Sequence, residues 1–183
     1  MASSRTVRSP RKTRKTPEPC RDLIFDTVAL VNFLLSGSEN ILIDRYKGRG
    51  LVSVEVYEEL LAGVSNGRIS QGGLDRLMGK GGFQVITMKH GEFEEYKRLI
   101  RSLGRGEASC VSLAGSRGAV VVTDDRLARK VCQERGIAFT GTIGILKAAV
   151  ERSWLSPSEA DAILGKMIKA GFYSPVNSIS GLC

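Results

Sequence analysis

Two hydrophobic rhythms alternate along this chain: short unbroken apolar runs, and longer stretches with helical spacing. Asp22-Leu-Ile-Phe-Asp26 predicts a short strand ending in a carboxylate, and Thr27–Leu35 a buried helix that stops at Ser36-Gly37. Glu39–Lys47 predicts a second short helix, ended by Gly48-Arg-Gly50. Leu51–Val54 is a strand that leads straight into a helix from Val56 to Ala62, with Gly63 as its expected end. Six glycines between residues 66 and 82 leave only a weak helix around Leu74–Met78. Phe83–Thr87 predicts a third strand, followed by an amphipathic helix, Glu92–Leu103, with Phe93, Tyr96, Leu99 and Ile100 on one face. Gly104-Arg-Gly106 breaks it, and a new helix runs from Glu107 to Ala114.

The stretch around which the rest is organised comes next. Gly118 to Val122 are small or β-branched without a polar break, the pattern of a strand buried on both faces of a parallel sheet. With Thr123 the expected strand is 118–123, and Asp124 and Asp125 stand where it ends and a helix over 124–135 begins. Residues 136–140 predict a last strand, 145–152 a helix, and 159–169 a final helix capped by Ser156 or Ser158 and closed by Gly171. Strands and helices alternate throughout, so the fold class is α/β with a mainly parallel sheet.

Charge changes the picture at one end only. The first 21 residues carry seven bases and one acid, +6 of the whole chain's +8. This Ser-, Thr-, Pro- and Arg-rich tail cannot bury a core, and disorder is expected there, with nonspecific phosphate contacts or no dedicated role as the two readings. No apolar run is long enough to cross a membrane, and no signal-peptide core follows the basic start. Four scattered cysteines without a Cys-x-x-Cys pair, two of them on helical faces (Cys110 and Cys132), suit buried thiols in a reducing cytosol. His90 is the only histidine, so a structural zinc site is not expected and His90 itself reads as a surface residue.

The acids fall into a pattern in that frame. Asp26 ends the first strand, Glu59 lies about one turn into the helix after the second, Glu107 opens a helix, and Asp124 and Asp125 end the strand 118–123. Strand ends and helix starts of a parallel sheet share one edge, where ligands bind. Each acid alone has a plain explanation: Asp26 and Glu107 as caps, Glu59 as a solvated helical acid. Together they would repel one another unless a cation neutralised them. Oxygen donors without His or Cys suit Mg²⁺ or Mn²⁺, which can acidify a water and neutralise charge building on a phosphoryl oxygen. Lys47, Arg49, Arg105, Arg126 and Arg129 are placed near this edge or its loops, where they could track an RNA backbone. Gly141-Thr-Ile-Gly144 reads as a plain strand-to-helix turn, and Phe25, Phe33, Phe83, Phe93 and Tyr96 fit core positions, leaving no base-stacking array.

Phe25-Asp26-Thr27 with its apolar helix, Val56-x-x-Glu59-Leu, Gly106-Glu107-Ala108 and Val-Thr123-Asp124-Asp125-Arg126-x-Ala-Arg129 together resemble the PIN domain. The resemblance covers roughly residues 22–150. The ending, with Gly141-Thr-Ile-Gly144 and Gly171-Phe-Tyr-Ser174, resembles a PIN subgroup with an extra C-terminal helical segment, here 151–183. The resemblance implies a three-layer α/β/α sandwich and a Mg²⁺- or Mn²⁺-dependent ribonuclease, with the toxin of a toxin–antitoxin pair as the leading role. It implies Asp26, Glu59, Glu107 and one of Asp124 or Asp125 as metal ligands, with Thr27 and Thr123 holding carboxylates or water by hydrogen bonds. Homodimerisation is usual for the family, and 156–183 is a plausible contact element. The basic tail and the C-terminal segment depart from the compact toxins of the family. Two rivals stand beside this reading: an RNA-binding PIN relative with little or no cleavage activity, and a nuclease acting on DNA.

Overall fold

A computed structural model describes residues 21–182; the expected basic tail, residues 1–21, lies outside the described residues except for Arg21. The elements follow in the order β1 (Leu23–Phe25), α1 (Thr27–Leu35), α2 (Glu39–Tyr46), β2 (Gly50–Ser53), α3 (Val54–Ser65), α4 (Gln71–Met78) and β3 (Gln84–Ile86). Then come α5 (His90–Leu99), α6 (Arg105–Arg117), β4 (Val120–Val122), α7 (Arg126–Glu134), β5 (Phe139–Thr140), α8 (Thr142–Glu151) and α9 (Pro157–Lys169). All strand pairs are parallel, in the order β3-β2-β1-β4-β5, and helices cover both faces in a three-layer α/β/α sandwich.

The middle of the sheet belongs to β1, with β4 as its neighbour in the register Leu23↔Val120 to Phe25↔Val122. Strand order reverses at this pair, so a crevice opens beyond the carboxyl ends of β1 and β4. Leu23, Ile24, Phe25, Val121 and Val122 are buried, which accounts for their unbroken apolar run. Against them α6 lies across β1, β2 and β4, with α3, α5 and α7 beside it, while α1 contacts α2, α3 and α9. Cys110 and Cys132 are buried thiols, as their helical positions predict.

Several boundaries differ from those the pattern predicts. The strand expected over 118–123 is reduced to Val120–Val122, because α6 continues past Ala114 to Arg117 and Gly118, at φ +65°, turns the chain out of it. Gly63 does not end α3. It lies inside the helix, where a Cβ would sit 2.7 Å from the Ile69 Cδ1. On α5, Tyr96 and Leu99 are buried but Phe93 and Ile100 are exposed, so Phe93 is not a core residue. Glu92 takes the inward position instead and is paired there with Arg117. The helix after β5 begins at Thr142, three residues earlier than its apolar spacing predicts.

Ser156 caps α9 through a reciprocal capping box with Glu159, and Pro157 occupies the first helical position. Ala160, Leu164 and Met167 of α9, with Ile179 beyond it, belong to the same hydrophobic cluster as β1 and α1. No helix among the described residues is long and apolar enough to cross a membrane.

Candidate active site

Asp26 follows β1 directly and caps α1. Its Oδ1 accepts the Thr27 N–H at 2.7 Å, and its Oδ2 accepts the Thr123 hydroxyl at 3.0 Å. The side chain is sealed from solvent, and burial, reinforced by the charge of Glu107 and then Glu59, pushes its pKa up to about 7. The bonds from Thr123 and Thr27 oppose that rise without cancelling it. Thr27 also donates its hydroxyl to Glu59 Oε2, so one residue bonds two of the acids.

Glu107 stands in the first turn of α6. The glycine before it is needed for close approach. A Cβ at Gly106 would lie 2.9 Å from Glu59 Oε2 and 3.2 Å from Thr27 Oγ1, so only a bare backbone lets α6 start this close to Glu59. Asp26, Glu59 and Glu107 therefore meet at the carboxyl edge, and their convergence follows from strand and helix ends.

Asp124 and Asp125 are adjacent in sequence but differ in surroundings. Asp124 Oδ1 accepts the Thr142 N–H at 3.0 Å and Arg129 Nη2 at 2.9 Å; its Oδ2 accepts Asn32 Nδ2 at 3.2 Å and the Thr142 hydroxyl. Both of its oxygens are thus engaged, and Asp124 ties α1, α7 and α8 together. The same close packing explains Gly141, where any Cβ would collide with the Asp124 carboxylate and the Arg129 guanidinium. Asp125 caps α7 with Oδ1, which accepts the Ala128 N–H at 2.7 Å. Its Oδ2 has no hydrogen-bond donor among the described residues.

A cleft of about 560 Å³ is walled by Thr27, Glu107, Asp124, Asp125, Arg126 and Arg68, with Asp26 and Glu59 behind its lining. The five cations expected here separate into three groups. Arg126 lines the cleft, and Arg105, at the start of α6, forms an exposed pair with Glu58 at 3.0 Å. Arg129 is held by Asp124 and by the Thr123 carbonyl at 2.8 Å, which makes it part of the frame. Lys47 and Arg49 lie at the opposite, amino end of the sheet, because their loop enters β2 instead of leaving it. Arg49 donates there to the Arg21 and Arg45 carbonyls. Asn32, Thr142, Arg68 and Tyr173 are site residues that sequence reasoning missed. Only Asn32 carried a signal, as a polar residue inside an otherwise apolar helix.

Among the described residues no three His, Cys, Asp or Glu side chains close around a single point that would take an ion. Donor chemistry and charge nevertheless fit a hard dication. The donors are carboxylate oxygens, and Asp26 is surrounded by negative charge with no cation paired to it. The fold is an all-parallel α/β sandwich with acids at its switch-point crevice. The model of the DUF3368 family, a PIN domain, matches residues 22–182. The chain belongs to the PIN-domain family, whose members are generally nucleases that use divalent metals. No curated protein matches the sequence.

Proposed function

We propose that this protein is a Mg²⁺- or Mn²⁺-dependent endoribonuclease that hydrolyses RNA phosphodiester bonds. The observation that carries the reading is Asp26, a sealed carboxylate oriented by Thr27 and Thr123 and faced by the charges of Glu107 and Glu59. Asp26, Glu107 and Asp125 would hold the metal. Asp125 is preferred to Asp124 because it keeps an oxygen without a donor, whereas all of Asp124's acceptor capacity is spent on Asn32, Arg129 and Thr142. When bound, a hard dication neutralises charge on the scissile phosphate and acidifies the attacking water. Glu59 adds negative charge beside Asp26 and is kept in place by Thr27. Arg126 and Arg68 line the cleft from the cationic side and would position the phosphate backbone.

The test is cleavage of labelled single-stranded RNA with Mg²⁺ or Mn²⁺ against EDTA, using wild type, Asp26→Asn, Asp125→Asn and Asp124→Asn. Metal-dependent cleavage abolished by Asp26→Asn and Asp125→Asn supports the reading. Well-folded protein that binds RNA equally with and without Asp26, and never cleaves it, favours the non-catalytic RNA-binding alternative. Faster cleavage of DNA would reassign the substrate. The toxin role rests on the resemblance alone. Its test is growth arrest on induced expression that Asp26→Asn relieves, with an antitoxin and a homodimer sought by co-purification and light scattering.

A further inference from the structure

Tyr173 is 86% exposed, the most exposed large apolar side chain among the described residues, yet the chain on either side of it is held. Gly171, at φ +104°, turns the chain out of α9, and the Phe172 N–H donates to the Met167 carbonyl at 2.9 Å while its ring packs against the core. Beyond it, the Val176 N–H donates to Ser174 Oγ at 3.2 Å, and Asp161 on α9 accepts the N–H groups of Ile179 and Ser180. A pinned segment thus presents an aromatic ring to solvent. Packing does not require it there.

The place it occupies suggests a use. Tyr173 lines the acidic cleft and also a second cleft of about 410 Å³, together with Arg126, Arg129, Phe139, Gly141 and Pro175. Asp124 and Arg126 belong to both clefts, so the second adjoins the first. A phosphate among the acids and Arg126 would leave the neighbouring nucleotide's base in a space bordered by two exposed rings, Tyr173 and Phe139. Such rings bind the face of a base, which is available only when the base is unstacked from its neighbours.

We propose that Tyr173, assisted by Phe139, forms a stacking subsite for an unpaired base next to the scissile phosphate. Stacking of this kind tolerates any base, so the subsite selects strandedness and leaves sequence unread. The inference rests on the RNA reading given above, and its test is arranged so that the two can fail separately.

Binding of a fluorescein-labelled single-stranded RNA would be followed by anisotropy in EDTA, where metal-dependent cleavage cannot intervene. Tyr173→Ala is expected to weaken binding about tenfold, and Tyr173→Phe to stay within about twofold of wild type, since the ring supplies the interaction. A blunt duplex of the same length should bind all three proteins alike. A 2-aminopurine placed in the single strand should be quenched by wild type and by Tyr173→Phe, but not by Tyr173→Ala. Unchanged affinity in Tyr173→Ala, equal loss on the duplex, or a Phe variant as weak as the Ala variant would overturn the subsite. Tyr173-dependent binding by a protein that never cleaves would overturn the nuclease reading and leave the subsite standing. Metal-dependent cleavage indifferent to Tyr173 would do the reverse.

Discussion

Asp26 and Glu92 are almost equally sealed, at 1% and 4% exposure, and their surroundings drive them in opposite directions. Arg117 donates to both oxygens of Glu92, at 2.7 and 2.9 Å, and the Lys89 N–H adds a third bond at 2.7 Å, so the acid is lowered to about 2. Burial and the neighbouring acids raise Asp26 to about 7. Glu92 is electrically complete and welds the start of α5 to the end of α6. Asp26 lacks a counter-charge that the chain itself does not supply. Burial alone therefore does not mark a functional carboxylate; the sign of the charges around it does.

The largest effect that would test this contrast is on activity. Asp26→Asn should lower RNA cleavage on the order of a thousandfold by removing an oriented charge from the reacting centre. The same change should raise the melting temperature of the metal-free protein at pH 8. Glu92→Ala should do the opposite, costing about 3 kcal/mol in urea unfolding because Arg117 loses its partner, with cleavage by the folded fraction unchanged.

A pH titration sharpens the comparison further. The raised pKa of Asp26 means its contribution is fully present below the unfolded carboxylate range, near 3.8, and is lost as pH rises through about 7. Glu92 has the reverse sign: its contribution is present above its ordinary 4.5 and is lost as pH falls toward about 2. The melting temperature in EDTA should accordingly fall by several degrees between pH 5 and pH 8. Excess Mg²⁺ or Asp26→Asn should flatten that slope, and Glu92→Gln should leave it intact. An unchanged slope in Asp26→Asn would break the comparison. The smallest effect is expected from Gly106→Ala, whose methyl must displace Glu59 or Thr27. The Mn²⁺ concentration for half-maximal cleavage should rise about tenfold, as for other changes to groups that orient ligands.

Much of this was legible in the residues, because strand ends are punctuated by chemistry as well as by hydrophobicity. Phe25-Asp26-Thr27 and Thr123-Asp124-Asp125 each mark the exit of an apolar run, and a parallel sheet carries such exits to one edge. Lys47 and Arg49 were misplaced for the complementary reason. Their loop precedes a strand, and charge along a sequence does not say which end of the sheet a loop serves. The different surroundings of Asp124 and Asp125 were hidden because they depend on Thr142 and Asn32, which are remote in sequence. The amphipathic spacing of α5 misled because Phe93 and Ile100 satisfy its period while Glu92, with its distant partner Arg117, takes the buried place. Tyr173 stood in a family-like motif but gave no sign of its exposure, which is a property of the folded surface, and aromatic residues in sequence suggest burial first.

The bond from Thr123 to Asp26 spans 97 positions of the chain, and that from Asn32 to Thr142 spans 110. During synthesis Asp26 therefore emerges long before the hydroxyl that orients it, and β1 waits for its neighbour β4 before the middle of the sheet can close. An unfinished chain on the ribosome carries the acids without the frame that gathers them. The acidic edge is complete only once translation has delivered the second half of the sheet.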